Sequence, residues 1–301
     1  RIASIIVGQE RTVDLVLTAI LANGHVLIEG VPGVAKTLLA RLTARLIDAE
    51  FSRVQFTPDL MPSDVLGTTV FNMKTNDFDF HQGPVFADLV LVDEINRAPA
   101  KTQAALFEVM EERQVSIDGT THQMGELYTI LATQNPVEQE GTYKLPEAQL
   151  DRFLMKITMG YPSLEEEVDI LERHHANASL VKLESLAPVL TKEELLSLRR
   201  LIEHVFVDRT LLQYIALIVQ QTRTSKAVYL GASPRASVAM MQASKAYALL
   251  QGRDFVTPED IKFVAPYVLQ HRLILTAEAE MEGYSPVKVT QRLIDKVEVP
   301  K

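Results

Sequence analysis

Gly30-Val31-Pro32-Gly33-Val34-Ala35-Lys36-Thr37, GVPGVAKT in one-letter code, is the stretch on which the fold turns. A glycine, four free positions and then Gly-Lys-Ser/Thr is the pattern of a phosphate-binding loop. Here Ala35 stands where the glycine before the lysine is usual. Alone, an octamer with one mismatch reads equally well as a Gly/Pro turn. Its setting decides between the two. The loop leaves the apolar run His25-Val26-Leu27-Ile28 and enters the amphipathic run that begins Lys36-Thr37-Leu38-Leu39, which is the strand-to-helix passage the motif requires. Backbone N–H groups of the loop and of the helix start, from Gly30 to Leu38, can then cradle phosphate oxygens. Lys36 would hold the β and γ phosphates of ATP, and the Thr37 hydroxyl would ligate Mg2+. Alanine at position 35 requires a negative φ, since a Cβ penalises the left-handed region, and the sequence does not fix that angle.

A second motif strengthens the first. Leu89-Val90-Leu91-Val92 is followed by Asp93 and Glu94, and Asp93 lies 57 positions after Lys36. A strand ending in an aspartate beside a phosphate loop supplies the second metal contact. Glu94, one residue on, can accept a proton from a water attacking the γ-phosphate. By themselves two acids after a strand are a solvated turn; paired with the loop they read as a nucleotide site.

Around these motifs the chain alternates. His25–Ile28, 54–56, Leu89–Val92, 128–131 and 154–158 read as strands, with a helix at 36–49. The first and third are apolar throughout or nearly so, as in strands covered on both faces of a parallel sheet. This alternation predicts an α/β fold. After Tyr161-Pro162-Ser163 the texture changes to helix. Ser163/Glu166, Thr191/Glu194 and Thr257/Asp260 each set a capping residue three before an acid. Ser233-Pro234 opens a helix that Gly252 closes. The expected division is therefore an α/β ATP-binding core at 1–161 and a smaller all-helical lid at 162–301. The 301-residue length suits two such domains. There are no cysteines, which excludes disulfides, thiolate zinc sites and a thiol nucleophile and fits a reducing, cytoplasmic setting. No apolar run approaches the roughly 20 residues of a membrane helix, so insertion in a membrane is not expected.

Together with DEINRAP (Asp93–Pro99), ATQNP (Ala132–Pro136), EAQLDRF (Glu147–Phe153) and SPRA (Ser233–Ala236), the two motifs resemble an AAA+ ATPase of the MoxR type. The resemblance runs from Val7-Gly8-Gln9-Glu10 to about Pro300, and alanine at position 35 is common in that family's loop. It implies further roles. Val7 and Gly8 would line the adenine pocket. Asn135 resembles the sensor-1 amide that positions the attacking water, although Asn-Pro also favours a plain turn. Arg152 resembles an arginine finger presented to the next subunit; its rival reading is a surface ion pair with Asp151 or Glu147. Arg235 resembles sensor 2. Its place in the first turn of a helix, where a cation is disfavoured by about 0.3–1 kcal/mol, favours an anion in front of it.

The resemblance also implies a ring homo-oligomer, usually a hexamer, a protein client remodelled in a chaperone-like way, and often a partner carrying a von Willebrand factor A domain. A magnesium-chelatase-like motor subunit and a nucleic-acid-dependent motor are the alternatives. Two inserts bear on the last. Gly67–Pro84 resembles the helix-2 insert, and 113–126 reads as a β-hairpin turning at Asp118-Gly119. The first carries Lys74 against Asp77 and Asp79, the second Arg113 against Asp118 and Glu126. With a net charge of −9, these acid-leaning inserts argue against nucleic acid.

Overall fold

The computed structural model describes residues 2–135, 143, 145–175 and 186–300. In chain order the strands of its first half are β1 (Val26–Gly30), β2 (Phe51–Gln55), β3 (Gly67–Asn72), β4 (Asp77–Gln82), β5 (Leu89–Asp93), β6 (Gln114–Ile117), β7 (Thr120–Gln123), β8 (Thr129–Gln134) and β9 (Met155–Met159). Five of them form one parallel sheet in the order β2-β5-β8-β1-β9. Every residue of β5 and all but the last of β8 are buried. Strands covered on both faces gain from apolar side chains on both, which is why these runs do not alternate. The parallel pairing is in step: Phe51 faces Leu89 through to Gln55 facing Asp93, and Leu89 faces Thr129 through to Val92 facing Ala132. The strands therefore end together at one edge, and the loops that follow them share it.

The helix Lys36–Leu46 follows β1 and buries Leu39, Ala40, Leu42 and Leu46. The remaining strands of this half make two antiparallel hairpins, β3–β4 and β6–β7. The second turns as expected at Asp118 (φ 49°) and Gly119 (φ 79°), two left-handed residues in a row. That twist matches the strands on either side.

Backbone proximity groups the chain into two compact units. One comprises Arg1–Val13, Leu27–Leu145 and Thr158–Leu196; the other Asp14–Val26, Pro146–Ile157 and Ser197–Lys301. In the second, the helices Arg209–Thr224, Pro234–Leu250, Pro258–Leu269 and Pro286–Asp295 supply the core. Leu211, Tyr214, Ile215, Ile218 and Val219 form one buried stripe at helical spacing. The three capping pairs are in place. Ser163 N donates to Glu166 Oε2 at 2.7 Å, Thr191 N to Glu194 Oε2 at 2.8 Å and Thr257 N to Asp260 Oδ2 at 2.7 Å. Gly252 (φ 73°) ends the helix from Pro234 in the left-handed turn that glycine favours.

One expectation needs correcting. The region read as all-helical also contains two short antiparallel strands, Val228–Leu230 and Ile274–Leu275. They are three and two residues long and far apart in sequence, so no local periodicity announces them. No helix among the described residues is long and apolar enough to cross a membrane.

Candidate functional site

The loop after β1 is shaped by two left-handed residues. Gly33 has φ 88°, and a Cβ there would meet nothing within 4 Å, so it stands at an open crest. Gly30 is needed for a different reason: a Cβ would come within 2.8 Å of the Met159 carbonyl oxygen. Ala35 is the N-cap of the following helix at φ 61°, ψ 24°. This corrects the expectation of a negative φ. In this left-handed conformation its carbonyl accepts the Leu39 N–H at 2.9 Å, and alanine takes the strain. Lys36 lies in the first helical turn and its Nζ donates to the Gly30 carbonyl at 2.6 Å, folded over its own loop. Thr37 follows, half-buried, while Pro32 and Gly33 are exposed and Val34 is buried beneath them.

Two strands away in the same sheet, β5 ends in the acids. Asp93 is buried and its two oxygens are divided between neighbours. Oδ2 accepts from Arg53 Nε on β2 at 2.6 Å, and Oδ1 accepts from the Thr133 hydroxyl on β8 at 3.2 Å. The same hydroxyl receives the Glu94 N–H at 3.0 Å. Thr133 thus fixes the point where β5 becomes a turn. Glu94 is itself left-handed, at φ 56°, ψ 50°, and caps the short 3-10 helix Ile95–Arg97. Its Oε2 accepts from Gln55 Nε2 at 2.8 Å and from Arg97 Nη1 at 2.9 Å. Both bonds fall on one oxygen, which leaves Oε1 for a water. Asn135, immediately after β8, is buried at 6% exposure; Pro136 lies outside the described residues.

The donors fit a hard divalent cation. The Thr37 hydroxyl and the Asp93 carboxylate are oxygen ligands of the kind Mg2+ takes alongside phosphate oxygens. The Arg53 guanidinium already balances the charge of Asp93, so direct ligation would displace it.

Val7 and Gly8 precede the helix Glu10–Leu21. Gly8 has φ 71°, and the Glu166 carboxylate presses so closely that a Cβ would lie 2.4 Å from it. The two other arginines belong to the second compact unit. Arg152 is half-buried in the turn between the short helix Glu147–Leu150 and β9. The carboxylate of its neighbour Asp151 is taken by Arg272 at 2.6 Å. Arg235 is exposed in the first turn of Pro234–Leu250. Ser233 holds the N-cap position as expected, but its hydroxyl makes no cap bond and reaches Asp151 at 3.5 Å instead.

With this geometry, similarity to known proteins follows the same lines. Residues 25–155 match the ATPase family associated with various cellular activities (AAA), and residues 220–295 match the AAA lid domain. A Mycobacterium tuberculosis protein named Chaperone MoxR1 is 46% identical, over 99% of this chain and 80% of its own length. The Bacillus subtilis protein YeaC is 49% identical over 98% of this chain and 92% of its own. A solved structure from Cytophaga hutchinsonii, described as a candidate ATPase, superposes with a TM-score of 0.90 at 41% identity, covering 100% of this chain and 93% of that one. The chain belongs to the MoxR family of AAA ATPases. Membership implies that it binds a nucleotide.

Within this MoxR-family site, sequence reasoning missed Arg53, Gln55, Arg97 and Thr133. Thr133 sits inside a quoted motif and could have been found as the hydroxyl two residues before Asn135. Arg53 and Gln55 gave no local signal, because their meaning depends on the register of β2 against β5. Elsewhere in the same unit, the two hairpins bound a groove of about 640 Å3 whose lining includes Thr69, Phe78, Ile117, Asp118 and His122. The β3–β4 hairpin and its turn leave Val70, Phe71, Met73 and Phe78 exposed.

Proposed function

We propose that this chain hydrolyses ATP with Mg2+ as cofactor and couples the cycle to chaperone-like remodelling of a protein client. One observation carries the reading: the Gly30–Thr37 loop and the Asp93–Glu94 pair leave the same edge of one parallel sheet, with a single strand between β1 and β5. Ligands of open α/β sheets bind outside the carboxyl ends of the strands. Lys36 and the loop N–H groups would hold the phosphates, and Thr37 and Asp93 the metal, which when bound supplies charge neutralisation at the phosphates. Glu94 takes the proton of the attacking water, and Asn135 orients that water. Arg152 acts from the neighbouring subunit of a ring, taken as a hexamer, and Arg235 faces the γ-phosphate from the lid. In this reading residues 1–161 are the core and 162–301 the lid that moves against it.

The protein client is supported by the relative named a chaperone and by the exposed apolar residues of β3–β4, since contiguous exposed apolar surface marks protein contact. A partner with a von Willebrand factor A domain belongs to the same proposal. The roles of Lys36 and Glu94 are separable. Lys36 contacts phosphate in the ground state, so Lys36→Ala should lose ATP binding by titration calorimetry. Glu94 acts on the water in the transition state, so Glu94→Gln should keep binding and lose phosphate release. Equal loss of affinity in the two variants would refute the assignment.

A further inference from the structure

The second compact unit contains a buried polar cluster that the nucleotide reading does not use. Gln270, His271 and Arg272 follow the helix Pro258–Leu269 directly and are all nearly buried. All three fasten to one segment, Asp151 to Lys156. Gln270 Nε2 donates to the Lys156 carbonyl at 2.5 Å and His271 Nε2 to the Phe153 carbonyl at 3.0 Å. Arg272 does most. Its Nε donates to Asp151 Oδ1 at 2.6 Å, its Nη2 to the carbonyls of Asp151 at 3.2 Å and Phe153 at 2.7 Å, and its Nη1 to that of Leu154 at 3.1 Å and also to Val268.

Its N–H groups are bonded elsewhere, Asp151, Arg152 and Phe153 donating to Glu147, Gln149 and Leu150, and Leu154 to the His25 carbonyl at 2.8 Å, so it is the carbonyls that the three side chains serve. The helix before it, Glu147–Leu150, is four residues long, and β9 begins only at Met155. The carbonyls of Asp151, Phe153 and Leu154 come before β9 and have no strand ladder to join, and a buried carbonyl without a partner is costly. A single planar guanidinium with five N–H donors can serve three carbonyls and a carboxylate together; an ammonium, three donors at one point, cannot span them. Burial and then the charge of Arg272 hold the His271 pKa well below its ordinary value. The Phe153 carbonyl can only accept, so the neutral ring carries its hydrogen on Nε2. Near the start of the segment sits Arg152, flanked by Asp151 and Phe153, whose carbonyls are both gripped by Arg272.

We propose that Gln270-His271-Arg272 is a clasp that positions Arg152, with Arg272 as its principal positioning residue. This rests on the reading of Arg152 as a finger acting on the neighbouring subunit's nucleotide. A finger contributes only if its guanidinium arrives where charge develops, and a shift of about 1 Å costs on the order of a hundredfold in rate. The clasp is what fixes the backbone from which that side chain starts.

The test is Arg272→Lys, which keeps the charge and loses the fork. Its ATP affinity should stay within about twofold of the parent, since its own phosphate loop is untouched, while its turnover falls by about tenfold or more, the size of a fraction of a finger's worth. Mixed with Lys36→Ala under subunit exchange, it should regain activity, because Lys36→Ala subunits bring an intact clasp and finger to an intact loop. A general weakening of the fold would lower turnover but would not be complemented in this way. Arg152→Ala is run alongside. If it turns over like the parent, the finger reading falls and the clasp with it. If Arg152→Ala is inactive and complemented while Arg272→Lys is fully active, or is inactive and not complemented, the clasp alone is overturned. Should Arg272→Lys fail to fold, Asp151→Asn is read by the same criteria, since it keeps the shape but removes the carboxylate charge that strengthens the bond from Arg272 Nε.

Discussion

Ala35 is left-handed at φ 61° in a loop whose usual residue there is glycine, and replacing it with glycine gives the strain a number. For an L-residue that region costs about 1–2 kcal/mol relative to the right-handed one. Glycine escapes this cost but loses more freedom on folding, by about 0.4–1 kcal/mol. The difference leaves Ala35→Gly more stable by about 1 kcal/mol, a rise of about 2–4 °C in melting temperature for a domain of this size. Calorimetry without nucleotide reads this directly. A second scan with saturating ADP and Mg2+ asks whether the loop has kept its shape, since the added stability depends on affinity through the logarithm of ligand over Kd. If the loop N–H groups stay where Ala35 now holds them, the ligand-induced increment is unchanged. Ala35→Val supplies the opposite sign, because a β-branched residue is a true outlier at positive φ. A fall in melting temperature for Ala35→Gly would refute the reasoning and would mean that the Ala35 methyl contributes packing that outweighs the strain.

Two further outcomes follow from charge and burial. The folded-state pKa of His271 lies below the unfolded value of about 6.5, pressed down by burial, then by Arg272 and Lys156. Its contribution to stability is thus complete above that pH and is lost as pH falls below it, with a slope of at most about 1.4 kcal/mol per pH unit. Between pH 7 and pH 5 the melting temperature of the parent should drop further than that of His271→Gln; parallel curves would show that the ring is already charged in the folded protein. The second concerns partners. With a net charge of −9 and acid-leaning hairpins, DNA and RNA should leave ATPase turnover unchanged, whereas several-fold stimulation that fades as salt rises would favour a nucleic-acid motor.

What was legible in the sequence was local. The apolar run into GVPGVAKT, the acids closing LVLV, the Asp118-Gly119 turn and the three capping pairs each declare themselves within about ten residues, because turn chemistry and strand burial act over that span. What was not legible depends on distant pairing. Arg53 meets Asp93, and Gln55 meets Glu94, only because β2 runs in step beside β5 across an intervening helix and hairpin. The Gln270–Arg272 clasp closes on residues more than 110 positions earlier. Backbone sign was equally hidden, since Ala35 and Glu94 carry no glycine to advertise a positive φ.

Those two left-handed residues share more than their angle. Each caps a helix, Ala35 before Lys36 and Glu94 before Ile95, but Glu94 directly follows β5 whereas Ala35 stands five residues after the end of β1. Strained φ/ψ of this kind persists only where surrounding contacts over-determine it. At Glu94 the contacts are visible: the backbone N–H is held by Thr133, and the carboxylate by Gln55 and Arg97. Gln55 belongs to β2, so the Glu94 carboxylate is tied to the strand on the far side of β5 from β8 and β1. At Ala35 the carbonyl accepts from the Leu39 N–H at 2.9 Å, and the next residue, Lys36, reaches back to the Gly30 carbonyl at 2.6 Å. The sheet sets where β1 and β5 stop, and left-handed residues beyond each, Gly33 and Ala35 on one and Glu94 on the other, turn the chain as the proposed roles in phosphate binding and proton transfer require.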